Sequence, residues 1–488
     1  MVELLQALDE GLRYRRGVVA MSDDHGTVTG DDLLARIAGL AEEFGPLPRV
    51  VGLLGHNGTD WALGLLAAWK AGKTVVPFPT FFSQLQVEHV LGDAGISHLI
   101  VTESAASMAA TLGVGITTIS SRRADTHHPL ASDAGLIVYT SGSTGRPKGV
   151  RLRIEQIDWQ ARALAEAIDA SPADVNLSLL PLALLLETIT AICVPVLVGA
   201  RTHFASAVAE NVGAGRAVDL LGAFEAVRPT TAVLVPQLLS GLVAQLEMRK
   251  AHAHESLRFV AVGGARVSEA LSARAWALGI PVHEGYGLTE CCSVVAVNRP
   301  GRRRPGTVGE PLDGVEMRIE GGEIVVSGPT VMEGYLHGPR TNGRWRTGDL
   351  GQRDDDGFLT VSGRRDNLIV TANGRNISPE WIEAMVSSDP RVAACALLGQ
   401  GMDHPHLLIV PSHHGEEWLM ESPRAHIQLW LEKMCAEAPS YAVPKDFAVC
   451  PGGEAKRIGL LTSNGRVVRE VAVALYPELK LARRSAAA

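Results

Sequence analysis

The chain has 488 residues, a formal net charge of −8, and 46% hydrophobic against only 5% aromatic residues. That length exceeds one ordinary core and implies about three domain-sized units, or one large multi-lobed body with a smaller one. The acidic balance excludes a general affinity for nucleic acid or anionic lipid, and the core it implies is aliphatic and alanine-rich.

The first seventeen residues, MVELLQALDEGLRYRRG, carry acids inside their apolar part and do not read as a signal peptide. From Val50 the pattern is strand, turn, helix, strand. VVGLLG is followed by HNGTD with Asp60 or Thr59 as cap, then WALGLLAAWKAG, then TVVPF. VEHVLGDAG then reads as a short helix and SHLIVT as the next strand. Such alternation predicts an α/β fold, a parallel sheet covered by helices, with ligands near the carboxyl ends of the strands.

LIVYTSGSTGRPKGV, residues 136–150, is a strand emptying into a polar loop. Thr140, Ser141, Ser143 and Thr144 offer hydroxyls, Gly142, Gly145 and Gly149 let backbone amides approach an anion, and Lys148 adds charge. The set suits a polyphosphate. It is not the ordinary P-loop, because Pro147 precedes the lysine and Gly149 follows it. A solvated Ser/Gly loop is the alternative reading.

After a helical stretch, IEQIDWQARALAEAIDA, residues 177–200 are apolar enough to span a bilayer. Pro181, Pro195 and the central Glu187 favour a buried core segment instead, so no transmembrane segment is expected. TTAVLVPQLLSGLV and LRFVAVGGARVSEALSARAWALG are two further strand-to-helix units. Gly263 and Gly264 close the second strand, where a flat ligand could lie on bare backbone or a helix could pack closely. IPVHEGYGLTE then places Tyr286, Thr289 and Glu290 within five positions: a ring to stack on a base, a hydroxyl, and a carboxylate able to hold Mg²⁺ against phosphates.

Beyond Arg299 the texture shifts to a Gly/Pro/Arg loop and shorter strands such as EIVVSG. WRTGDL contains Asp349, a carboxylate that can accept two hydrogen bonds at once. In GFLTVSGRRDNLIVTANGRNISPEWIE, Ser378 and Pro379 open a helix as cap and first residue. The remaining stretch alternates short strands with a helix near Ile427–Glu437, as a small α+β lid would. The six cysteines, at 193, 291, 292, 395, 435 and 450, form no CxxC pair and no ligand spacing with histidine. Neither zinc nor a disulfide framework is expected, and a reducing cytoplasm fits best.

TSGSTGRPKG resembles the signature phosphate loop of the adenylate-forming superfamily: acyl-CoA synthetases, peptide-synthetase adenylation domains and luciferases. The resemblance extends over nearly the whole chain, through residues 139–149, 263–265, 285–290, 346–350 and 363–383 in the family's order. It implies a large N-terminal domain of parallel-rich sheets covered by helices, residues 1–365, and a small mobile α+β C-terminal domain, residues 366–488, with Asp366 as hinge. It also implies a nucleotide site made of Thr140, Ser141, Gly142, Ser143, Thr144, Gly145, Lys148, Gly263, Gly264, Ala265, Gly285, Tyr286, Gly287, Thr289, Asp349 and Arg364. Tyr286 would pack on adenine, Thr289 contact the α-phosphate, Glu290 bind Mg²⁺, Asp349 hold the ribose hydroxyls with Arg364 nearby, and Asn373 and Gly374 face an entering thiol.

Two positions depart from the family pattern. Where LTSNGRVVR resembles the family's Asn-Gly-Lys turn, the lysine is Arg466, longer and planar although still cationic; Lys456 is an alternative for the role. In LPLALLLE, Leu184 stands where many acyl-CoA synthetases have a histidine or aromatic. Leu184, Leu185, Leu186 and Ile189 would form an apolar acyl wall, although core packing explains the same residues. The reaction implied is that of an AMP-forming fatty acyl-CoA synthetase, with Lys148, Thr289, Glu290 and Arg466 as catalytic residues and ATP, a carboxylic acid and CoA as substrates. An acyl carrier protein as acceptor, a homodimer, and a non-catalytic nucleotide-binding homologue are the other readings.

Overall fold

The computed structural model describes residues 17–124, 134–140, 147–214, 216, 218–462 and 465–485, together with Leu4 and Gln6. The predicted Ser141, Gly142, Ser143, Thr144 and Gly145 lie outside the described residues.

Two large sheets organise the N-terminal domain. In the first, β1 (Val50–Leu54), β2 (Thr74–Phe78) and β3 (Gly135–Thr140) run parallel, and β3 then turns back into β4 (Lys148–Arg153) as an antiparallel pair. Lys148 therefore opens a strand instead of closing a loop, directly across from Thr140. The second sheet has a parallel centre of β5 (Val175–Ser178), β6 (Arg201–Phe204), β7 (Thr231–Leu234), β8 (Phe259–Val262) and β9 (Val282–Leu288). Beyond β9 the sheet turns antiparallel, through a hairpin to β10 (Ser293–Val297) and then the short strand Glu310–Pro311.

Helix α1 (Thr59–Lys70) explains how the layers cohere. Every residue of it except Asp60 is buried, and its Trp61 and Trp69 belong to the largest hydrophobic core. A helix apolar on all sides must be covered on all sides. Its cap is not the residue expected: Gly58 occupies the N-cap, and the Thr59 amide and hydroxyl both donate to Asp23, at 2.9 and 2.8 Å. The carboxylate that satisfies the helix end thus comes from a strand of the other sheet.

The apolar run 177–200 is divided among the end of β5, the turn Leu185–Glu187, a π-helical turn at Thr188–Cys193 and the helix Val194–Val198. Glu187 and Thr188 are buried within it. No helix among the described residues is long and apolar enough to cross a membrane.

A smaller antiparallel sheet includes β11 (Arg344–Arg353) and β12 (Leu359–Arg364) and leads to a single helical turn at Arg365–Asn367. Beyond it lies a separate core, centred on a sheet of Val392–Leu398, His406–Pro411 and Asp446–Val449 and covered by helices. The helix expected at Ile427–Glu437 spans Arg424–Met434. Ser378 occupies the predicted cap position before Pro379, but its hydroxyl donates to Glu380 instead of capping the helix.

Candidate active site

The carboxyl ends of β8 and β9 face a cavity of about 360 Å³. At its polar end lie Gly263, Gly264, Tyr286, Thr289 and Arg466, with Thr140 and Pro147 from the phosphate-loop hairpin alongside. Gly285 and Gly287 also line it. At Gly287 a Cβ would stand 1.8 Å from the Ser293 carbonyl oxygen, so the β9–β10 hairpin closes there only around glycine.

Asp349 and Arg364 meet because they are directly opposite on β11 and β12. Arg364 Nε lies 3.3 Å from Asp349 Oδ1, and the Tyr286 hydroxyl donates to Asp349 Oδ2 at 2.6 Å. Burial raises the Asp349 pKa, while the Tyr286 hydrogen bond and the Arg364 charge oppose that rise. The carboxylate is anchored on one side and offers its remaining lone pairs to a ligand.

Glu290 follows Thr289 in a short helical turn. Its Oε1 accepts from the Tyr335 hydroxyl at 2.8 Å, and the Lys148 ammonium lies 5.5 Å from the centroid of the same tyrosine ring. Tyr335 reaches this place because it pairs with Val150 on β4, two residues from Lys148. Tyr335 had no signal in the sequence beyond an ordinary Gly-Tyr turn; only the pairing of strands remote in sequence assigns it.

Arg466 enters from the C-terminal domain. Its Nη2 donates to the Gly264 carbonyl oxygen at 2.7 Å, and Gly264 has φ +79°, where a side chain would be strained. Arg466 is exposed at the mouth yet ringed by protein, and that desolvation lowers its pKa. Lys456, the alternative, instead donates to the Ala214 carbonyl at 3.3 Å, outside the cavity lining.

The acyl wall is partly corrected. Leu184, Leu185 and Leu186 line the cavity, but Ile189 does not; it is fully buried in the main core, and Thr190 takes the lining position. The π-helical turn advances the chain by more than 3.6 residues and rotates Ile189 inward. Asn57 fixes the preceding loop, donating to the Leu180 carbonyl at 2.6 Å and accepting from the Leu182 amide at 2.8 Å. Ala265 is exposed beside the cavity and does not line it. Asn373 and Gly374 form an exposed turn and are not brought to it either. Asp366 is exposed within the connecting helical turn.

The AMP-binding enzyme family matches residues 9–336, and its C-terminal domain family matches residues 366–479. The chain belongs to the AMP-binding enzyme family. Within that adenylate-forming superfamily it falls in the acid–thiol ligase class. It is 31% identical over 421 residues to a feruloyl-CoA synthase of Amycolatopsis sp, covering 79% of this chain and 84% of that one. It is 28% identical to a malonate–CoA ligase of Arabidopsis thaliana, over 73% of this chain and 67% of that one. Among solved structures, an o-succinylbenzoate CoA synthetase from Bacillus subtilis bound to its acyl-adenylate intermediate is 25% identical, with a TM-score of 0.78 over 96% of this chain and 97% of that one. An anthranilate CoA ligase with anthranoyl-AMP, 21% identical, has a TM-score of 0.82 over 98% and 97%, and shares the fold. These relatives are named for aromatic, dicarboxylic and other acids, so membership in the family does not make this AMP-binding enzyme a fatty-acid enzyme.

Proposed function

We propose that this enzyme activates a carboxylic acid with an aliphatic tail to its acyl-adenylate and transfers the acyl group to the thiol of CoA. The observation that supports this most directly is the continuity of the cavity: its wall of Leu184, Leu185, Leu186, Val194 and Val198 leads to Gly263, Thr289 and Arg466. The tail's burial would contribute about 0.8 kcal/mol per methylene.

In the first step the substrate carboxylate oxygen attacks the α-phosphorus, the bond to the bridging oxygen breaks, and pyrophosphate leaves. Such a displacement depends on alignment and charge neutralisation. Asp349 holds the ribose hydroxyls, the Tyr286 ring lies against adenine, Lys148 neutralises the leaving pyrophosphate, and Thr289 and Arg466 hold the α-phosphate side. Glu290 suits Mg²⁺, which is commonly bound by one or two carboxylates together with substrate phosphates. Bound there, the ion would screen the phosphate charges.

In the second step the CoA sulfur attacks the acyl carbonyl, the thiol proton departs to solvent, and AMP leaves. Arg466, at the polar end of the cavity, would serve the first step; a swing about Asp366 would withdraw it and bring Asn373 and Gly374 inward for the thiol. The test is pyrophosphate release with ATP, Mg²⁺ and a panel of aliphatic and aromatic acids, with and without CoA. Release that rises with aliphatic length and turns over only with CoA is the expected result. Release with benzoates alone, or turnover dependent on a carrier protein, overturns the corresponding half.

A further inference from the structure

The far end of the cavity is not wholly hydrocarbon. It follows β5 and β7 from the polar end, at Gly263 and Tyr286, back to Asn176 and Thr231 near the amino ends of those strands. Thr231 to Val235, both on its wall, spans about 13 Å of extended chain. A straight aliphatic tail leaving the phosphate end therefore arrives where Asn176, Thr231 and Asp174 stand among Phe259, Ile168 and Ala170.

Asn176 supplies the side-chain amide at that end. It is only 6% exposed, it lines the cavity, and strand register sets it beside Thr231. Its Oδ1 accepts from the Thr231 hydroxyl at 3.1 Å, and its Nδ2 has no partner among the described residues. An amide N–H that faces the cavity without a protein partner is free to donate to an oxygen on the bound tail.

The charges nearby decide what kind of oxygen fits. Asp174 also lines the far end, and its carboxylate accepts from Arg258 at 2.6 Å, from Thr230 at 2.7 Å and from the Ser171 amide at 2.8 Å. These partners lower its pKa against the effect of burial, so it stays ionised. Arg258 is taken up by Asp174 and by the carbonyls of Ile168 and Asp169. A tail ending in a second carboxylate would meet an anion with its cation already engaged, whereas a neutral acceptor meets an open N–H.

We propose that the acid activated here carries a neutral oxygen, a carbonyl or hydroxyl, toward the far end of a medium-length aliphatic tail, where Asn176 donates to it. This rests on the acid-activation reading above. The Asn176–Thr231 pair is then a specificity-determining element of the site.

The test is calorimetric titration of the wild-type protein, without nucleotide, with unbranched acids from butanoate to tetradecanoate. Each is compared with its oxo, hydroxy and dicarboxylic analogue of equal length. At the best length the oxo or hydroxy acid binds roughly five- to tenfold more tightly than the plain acid, and the dicarboxylic acid more weakly. Asn176→Leu removes this preference; if that variant does not fold, the wild-type comparison decides alone. Equal or tighter binding of the plain acid at every length overturns the proposal, as does a preference that survives Asn176→Leu. Pyrophosphate release with the same acids reads the ligase reaction separately. A binding preference without release keeps this subsite and removes the proposed reaction, and release without preference does the reverse.

Discussion

Replacing Asp349 by asparagine isolates the proposed ribose contact from the fold. Asp349 is buried, accepts from Tyr286 at 2.6 Å and faces Arg364 at 3.3 Å. In Asp349→Asn the amide oxygen keeps the Tyr286 bond while the half-exposed Arg364 ion pair is lost, so the melting temperature is expected to fall only modestly. The other oxygen becomes an N–H₂ group and can no longer accept from a ribose hydroxyl. A hydrogen bond to a charged group contributes about 1.5–3 kcal/mol, so ATP and AMP should bind roughly 10- to 150-fold more weakly. Calorimetry with ATP, AMP and an ATP analogue lacking both ribose hydroxyls forms a cycle that separates this contact from general damage. The wild type should discriminate against the analogue, and Asp349→Asn should lose most of that discrimination. Equal weakening of ATP and the analogue in the variant would refute the ribose assignment.

Arg466→Ala should lower acid-dependent pyrophosphate release by about a hundredfold or more, a range typical of losing one transition-state charge contact, while Arg466→Lys retains much of it. Transfer to CoA from a synthetic acyl-adenylate should be spared in both variants, and equal loss of both half-reactions would contradict a first-step role. Glu187 is 1% exposed, with its Oε1 accepting from Ser178 at 2.6 Å, and burial pushes its pKa from 4.5 to about 8. The folded protein thus keeps a proton that the unfolded chain releases, so this group's contribution to stability falls as pH rises through that interval. Glu187→Gln keeps a neutral side chain and should flatten the decline in melting temperature between about pH 5 and about pH 8; an unchanged slope rejects the assignment. Ala200 lines the cavity beyond the leucine wall. Ala200→Leu should shorten the longest acid accepted, with a loss of about 0.8 kcal/mol, or about fourfold in KM, for each methylene displaced. An unaltered chain-length profile would place the tail elsewhere.

Local chemistry carried much of the fold into the sequence. The alternation of aliphatic strands with helices from Val50 onward, the strand before the phosphate loop, and the glycines closing β8 are consequences of side-chain period and backbone freedom within a few neighbouring residues. Those features are legible without tertiary context. Tyr286, Asp349, Glu290 and Arg466 were likewise available, because a family motif preserves the order of residue types along the chain. Their meeting was not: Tyr286 reaches Asp349 across 63 positions, and Arg466 reaches Gly264 across 202.

Other features depended on partners remote in sequence. The cap of α1 is Asp23, a residue of another sheet, and no local pattern encodes it. Ile189 is apolar in either location, so its hydrophobicity could not tell cavity from core; the π-helical turn turned it inward and left Thr190 on the wall. Tyr335 and Asn176 carry no local signal at all, and both gained their roles from strand register, opposite Val150 and beside Thr231. The sequence by itself determined which chemical groups the chain owns and which segments form strands and helices, since these follow from short-range sterics and burial period. Only the tertiary structure decided which groups share a site, because that is set by long-range pairing and packing, whose partners the local chain does not contain.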